Sequence, residues 1–192
     1  MSETAHPSTQ RGRIETEFAR PGALALSGPE GILYDFNYGC RVQVPVDGWR
    51  VRMTGLDTFN VLLDEAVEAN AVITSRRKYF VRFLLEVFDG SRLVFSHSYN
   101  ATGKKVLLRM HALALGDSLA WVPVIDAFRK QHDCEVSLPL PAHLQPLFRD
   151  GYPDLNIATE VEPDRQNGTY YATYYLGLLN SLNAITSPPI RA

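Results

Sequence analysis

Hydrophobic and polar positions change period once along this chain, near residue 103. Before that point Ile32-Leu33-Tyr34, Arg41-Val42-Gln43-Val44 and Trp49-Arg50-Val51-Arg52-Met53 alternate apolar with polar side chains between Gly and Pro punctuation. That pattern predicts half-buried strands. Pro45-Val46-Asp47-Gly48 reads as a hairpin turn. Asn60 to Ala71 fits either period: Leu62, Leu63, Ala66, Val67 and Ala69 suit a helix, but the setting and Val72-Ile73-Thr74 favour β. Tyr79 to Phe88 is the clearest strand, turned by Asp89-Gly90 into Leu93 to Tyr99. Residues 32–102 are therefore predicted as a small antiparallel β module. Residues 1–31, rich in Ser, Thr, Pro, Gly and Arg, read as a flexible leader.

After Asn100-Ala101-Thr102-Gly103 the longer period takes over. Val106–Arg109 has the run of a buried strand. Gly116 supplies a tight turn, Asp117 or Ser118 caps, and a helix is predicted over about 118–131. Leu119, Val122, Ile125 and Phe128 recur along it, with Trp121 on the flank, and Pro123 is assigned to the first turn. A strand (Cys134–Leu138), a helix (about Ala142–Arg149) and a strand (about Leu155–Val161) follow. Tyr170 to Leu179 could be strand or helix, and residues 180–192 lose all pattern, an aberrant or disordered tail. The fold class is α+β then α/β: the antiparallel module, then a partial Rossmann-like β-α-β-α-β domain over 103–179. Only one side of a doubly wound sheet is visible, so Val106–Arg109 is expected at an uncovered edge, with poor solubility as the consequence.

With 45% hydrophobic and 21% charged residues in 192, the chain can build a sizeable core. A net charge of −2 argues against a broad nucleic-acid footprint. No apolar run approaches the ~20 residues needed to span a bilayer, and the N-terminus lacks a signal-peptide pattern, so a cytoplasmic location is expected. Cys40 and Cys134 lack metal-ligand spacing and read as reduced thiols. No phosphate-binding P-loop, Gly-x-Gly-x-x-Gly or Gly-x-Ser-x-Gly occurs, which argues against nucleotide hydrolysis, dinucleotide redox and α/β-hydrolase chemistry. Asn100-Ala101-Thr102 and Asn167-Gly168-Thr169 match the glycosylation sequon without a secretory context.

The histidines have structural readings: His6 in the leader, His97 in an exposed hairpin, His132 and His143 near helix ends. His111 differs, since it lies in the strand-to-helix loop beside Asp117; it is either structural or a substrate contact. Asp117 is an N-cap by base rate. A carboxylate at the carboxyl edge of an open α/β sheet could instead accept the proton of a hydroxyl nucleophile, as transfer to an alcohol requires.

Three separated segments point to a family. Leu115-Gly116-Asp117-Ser118-Leu119-Ala120-Trp121-Val122-Pro123, continued by Phe128-Arg129-Lys130-Gln131-His132 and Cys134-Glu135-Val136, resembles the bacterial autotransporter heptosyltransferases. Those enzymes are similar to the lipopolysaccharide heptosyltransferases in the same Gly-Asp-x-x-x-x-x-Pro segment. Arg77-Lys78-Tyr79-Phe80-Val81-Arg82-Phe83 before Glu86-Val87, and Tyr170-Tyr171-Ala172-Thr173-Tyr174-Tyr175-Leu176-Gly177, extend the resemblance over about residues 32–179. The resemblance implies a cytoplasmic GT-B glycosyltransferase that moves heptose from ADP-heptose to serine hydroxyls of autotransporter adhesin passengers and assembles as a homo-oligomer. It implies Asp117 as the catalytic residue, with His111, Leu115, Gly116 and Ser118 on the substrate side. Family members are longer, carrying a second Rossmann domain for the sugar nucleotide and a four-cysteine iron-binding finger. With two cysteines that iron site cannot be built, and no metal or cofactor is expected in this chain. The expectation is a family chain, truncated before its donor-binding domain; the alternative is a non-catalytic remnant or protein-binding adaptor.

Overall fold

The computed structural model describes residues 23–76, 81–110, 114–159 and 169–176. A short strand, β1 (Leu26–Ser27), comes first, and the later strands fall where alternation was read: β2 (Leu33–Asn37), β3 (Arg41–Gln43), β4 (Arg50–Gly55), β5 (Val61–Ala66), β6 (Val72–Thr74), β7 (Phe83–Asp89) and β8 (Arg92–Ser98). The ambiguous stretch is strand β5, and the Asp89-Gly90 turn joins β7 to β8. The later part supplies β9 (Lys105–Met110), α1 (Leu115–His132), β10 (Glu135–Pro139), α2 (Gln145–Arg149), β11 (Asn156–Ala158) and β12 (Ala172–Leu176). The aromatic stretch after residue 170 is thus a strand.

These strands make two sheets. One is antiparallel, in the order β5-β4-β7-β8. The other is mixed, in the order β11-β10-β9-β12-β2-β3-β6, with β1 on β2. Main-chain pairing therefore crosses the expected boundary at residue 102: β12 pairs in parallel with β2 as well as with β9. The leader is corrected at its end, because Leu26 pairs with Tyr34 and the short turn Pro29–Gly31 is tied by Glu30 to Arg92. Pro45-Val46-Asp47-Gly48 is no hairpin turn; β3 and β4 lie in different sheets, and this segment carries the chain between them.

Val106–Arg109 is corrected from edge to centre. β9 is flanked by β10 and β12, and Val106, Leu107 and Leu108 are buried, as an apolar run in a central parallel strand requires. The two sheets meet in an aromatic core. Phe36 of β2 stands 5.1 Å from the rings of both Tyr99 and Tyr171 and 6.3 Å from Phe83. Ile125 and Val122 of α1 join this core, and Phe128 meets Tyr174 of β12 at 5.8 Å.

One charge pair lies inside. Arg41 Nε donates to Asp35 Oδ1 at 2.7 Å, and the two side chains are 3% and 0% exposed. Asp35 also accepts from the Ala25 and Asn37 main-chain N–H groups and from Asn37 Nδ2. Removing one member of a buried pair strands the other, which costs about 3–5 kcal/mol. Arg41→Met is expected to lower unfolding free energy by about that amount in urea titrations. Arg52→Met, which breaks the solvated Arg52–Asp64 pair, is expected to cost at most about 1 kcal/mol.

Candidate functional site

The strand order reverses at β9. From β9 the chain passes through α1 to β10 on one side, while β12 returns on the other, with Leu176 in register with Met110. Ligands of open α/β sheets sit outside the carboxyl ends of strands at such a point. Residues 111–113, including the candidate His111, lie outside the described residues.

The first turn of α1 faces this edge and differs from its expected form. The helix starts at Leu115, with Ala114 extended as its N-cap and no side-chain cap. Asp117 therefore sits inside the first turn, not ahead of it. Ser118 is buried and donates from Oγ to the Ala114 carbonyl at 3.1 Å, so it does not cap either. Gly116 is an ordinary helical residue with open space where a Cβ would stand. The carboxylate of Asp117 is half-buried, and no ion pair engages it among the described residues. A helix N-terminus suits a negative side chain there. Leu115 is 49% exposed beside it. The structure thus brings together Leu115, Gly116, Asp117 and Ser118 in one turn, with an available carboxylate and an open approach over the glycine.

Pro123 falls well inside α1 and not in its first turn, so the Leu119 carbonyl loses its helical partner. Both residues face outward, and Leu119 is 56% exposed instead of in the core. His97 is likewise corrected: it is half-buried among Tyr34, Phe36, Phe95 and Tyr171. His132 ends α1, its ring 4.4 Å from Phe128, and burial lowers its pKa. His143 is exposed.

Residues that the sequence reading passed over stand at the same edge. Tyr38 takes a left-handed conformation (φ 63°), and its ring meets Tyr175 edge-on at 5.5 Å. Asn37 fastens this turn to β12, accepting from Thr173 Oγ1 at 2.7 Å. The cue was Asn37-Tyr38-Gly39, a turn-forming sequence directly after an apolar run. A groove of about 460 Å³ lined by Lys105, Arg129, Glu135, Ser137, Asp154 and Asn156 lies elsewhere, where β9 and β10 begin.

Residues 28–91 match the family described as glycosyltransferase TibC, N-terminal domain. The chain is 41% identical over 174 residues to the inactive autotransporter heptosyltransferase BimC of Burkholderia thailandensis, covering 89% of this chain and 40% of that one. It is 34% identical to the autotransporter heptosyltransferase TibC of Escherichia coli, covering 82% and 39%. Over its described length the chain is similar to the N-terminal portion of the autotransporter heptosyltransferases. It is also similar to a crystal structure of dodecameric iron-containing heptosyltransferase TibC with ADP-D-β-D-heptose, at a TM-score of 0.75 and 32% identity. That match covers 83% of this chain and 41% of the solved one. The chain spans about two fifths of the relatives it matches.

The iron named for that relative does not fit the residues described here. Among them no group of three or more His, Cys, Asp or Glu side chains could hold a metal ion. Cys40 precedes β3 and Cys134 precedes β10, and β9, β12 and β2 stand between those strands, a span of roughly 19 Å at ~4.8 Å per strand. Both thiols are buried, and burial pushes the Cys134 thiol up to about 11. Thiolate ligands are disfavoured in such surroundings. No described helix is long and apolar enough to cross a membrane.

Gly116→Ala tests what the glycine is for. Helix propensity favours alanine by about 0.5–1 kcal/mol, and no atom obstructs the methyl. Thermal unfolding is expected to shift upward in the variant; a fall would restore the turn role.

Proposed function

We propose that this chain carries the acceptor side of a GT-B heptosyltransferase, in which heptose passes from ADP-heptose to serine hydroxyls of an autotransporter adhesin passenger in the cytoplasm. The observation that carries the reading is the carboxylate of Asp117, available in the first turn of α1 at the strand-order reversal. Transfer to an alcohol needs a base for the hydroxyl proton as the oxygen attacks the anomeric carbon. Asp117 takes that proton, while Gly116 leaves room for an acceptor main chain and Leu115 offers an apolar contact. Ser118 is a positioning residue, because its bond to Ala114 holds the turn that presents Asp117. His111 is retained as a substrate contact. The donor nucleotide and the iron finger belong to the remaining length of the relatives, as does assembly into a homo-oligomer.

A second reading, a non-catalytic chain that binds a passenger or a longer family member, is favoured by one finding. The relative at 41% identity is named an inactive heptosyltransferase. One experiment separates the two. The chain is joined to the C-terminal remainder of TibC and co-expressed with a passenger, whose modification is followed by mass spectrometry. Under the enzyme reading Asp117→Ala lowers transfer by about 10²–10⁴-fold with the fold intact. Equal modification by both forms removes Asp117 as the base, and no modification by either supports the adaptor.

A further inference from the structure

His97 occupies a position that neither the family nor the reaction explains. It belongs to β8 of the antiparallel sheet, yet both ring nitrogens bond residues of the mixed sheet. Nδ1 lies 3.4 Å from the Tyr34 hydroxyl of β2. Nε2 lies 3.0 Å from the hydroxyl of Tyr171, the residue immediately before β12. The Tyr171 oxygen in turn accepts the Asn100 main-chain N–H at 2.9 Å. The imidazole stands among the rings of Tyr34, Phe36, Phe95 and Tyr171, with centroids 4.9–6.2 Å away.

Counting hydrogens fixes which form of the ring this place accepts. A neutral imidazole has one donor and one acceptor. Tyr171 can then donate its hydroxyl hydrogen to Nε2, and Nδ1–H donates to the Tyr34 oxygen. The Asn100 N–H, the Tyr171 hydroxyl and the His97 ring N–H then each have an acceptor. Imidazolium has two donors and no acceptor. Nε2–H would then point at Tyr171, whose own hydrogen loses its acceptor in an aromatic surrounding, and a buried polar group left unpaired is destabilising.

The titratable and charged groups around the ring add to this. Tyr34 faces it from β2, Tyr171 from ahead of β12, Lys104 from ahead of β9, and Tyr99 follows its own strand; Cys40 and His132 stand behind the tyrosines. Lys104 is a cation and opposes a second one. Asp35, the neighbouring carboxylate of β2, is occupied by Arg41.

We infer that His97 is a proton-operated latch between the two sheets: neutral, it holds β8 against β2 and the start of β12, and protonated, it lets go. The inference is independent of the transferase reading. Burial first, then Lys104, lower the pKa of His97 below 6.5. The folded state therefore prefers the neutral ring, so the latch is fully closed above pH 6.5. It opens as pH falls through the folded-state value.

Hydrogen exchange of the whole chain from pH 7.5 to 4.5, corrected for intrinsic exchange, reads the latch directly, with the ring titration of His97 followed by NMR. Protection of residues 92–98 and 172–176 is expected to fall together as His97 titrates, by about tenfold for each pKa unit of depression. His97→Gln, which cannot take up the proton, is expected to flatten this dependence, and His132→Gln to keep it. Unchanged protection of those strands through the His97 titration overturns the latch, as does a pH dependence that survives in His97→Gln. If His97→Gln fails to fold, the wild-type titration decides alone.

Discussion

The fold depends on where β12 pairs. This last described strand enters between β9 and β2 and runs parallel to both, joining strands from the two ends of the sequence into one sheet. Its five residues are mostly buried, so neither neighbour could keep its position with the slot empty. Two polar devices set the register. Thr173 bonds Asn37 across the seam, and Asn37 is held by Asp35, which Arg41 neutralises. A one-residue slip would turn the buried side chains of β12 to the opposite face.

Local pattern was legible, and long-range pairing was not. β4, β7 and β8 followed from alternation, because a strand with one buried face writes that face every second residue. The division near residue 103 reflected a true change of period. It misled as a boundary, since β2 alternates like a module strand yet completes a mixed sheet through a partner 136 residues away. Nothing in Leu33–Asn37 names that partner.

The candidate site was partly legible. Gly116-Asp117-Ser118 marked the strand-to-helix transition, but glycine, aspartate and serine are also the residues of turns and caps. Here the helix begins at Leu115, three residues before the expected start, and takes all three inside. Leu119 and Pro123 fit the helical period but belong to the outward face, which composition could not separate from the core face in a helix apolar on several sides. His97 shares its hairpin with Ser96 and Ser98, which take the exposed face while His97 turns to the other.

The seam between β2 and β12 also bears on synthesis. Phe36 and Ala172 are register partners, so the ribosome must add 136 residues after one before the other exists. At about 5–20 residues per second this takes on the order of 7–27 s. Throughout that interval one side of β2 lacks its permanent hydrogen-bond partner, and β9, once made, also waits for its neighbour β12. Open strand edges of this kind recruit other chains. The nascent polypeptide thus passes through a window in which its own final strand competes with any extended segment nearby, and speed of elongation becomes a determinant of yield.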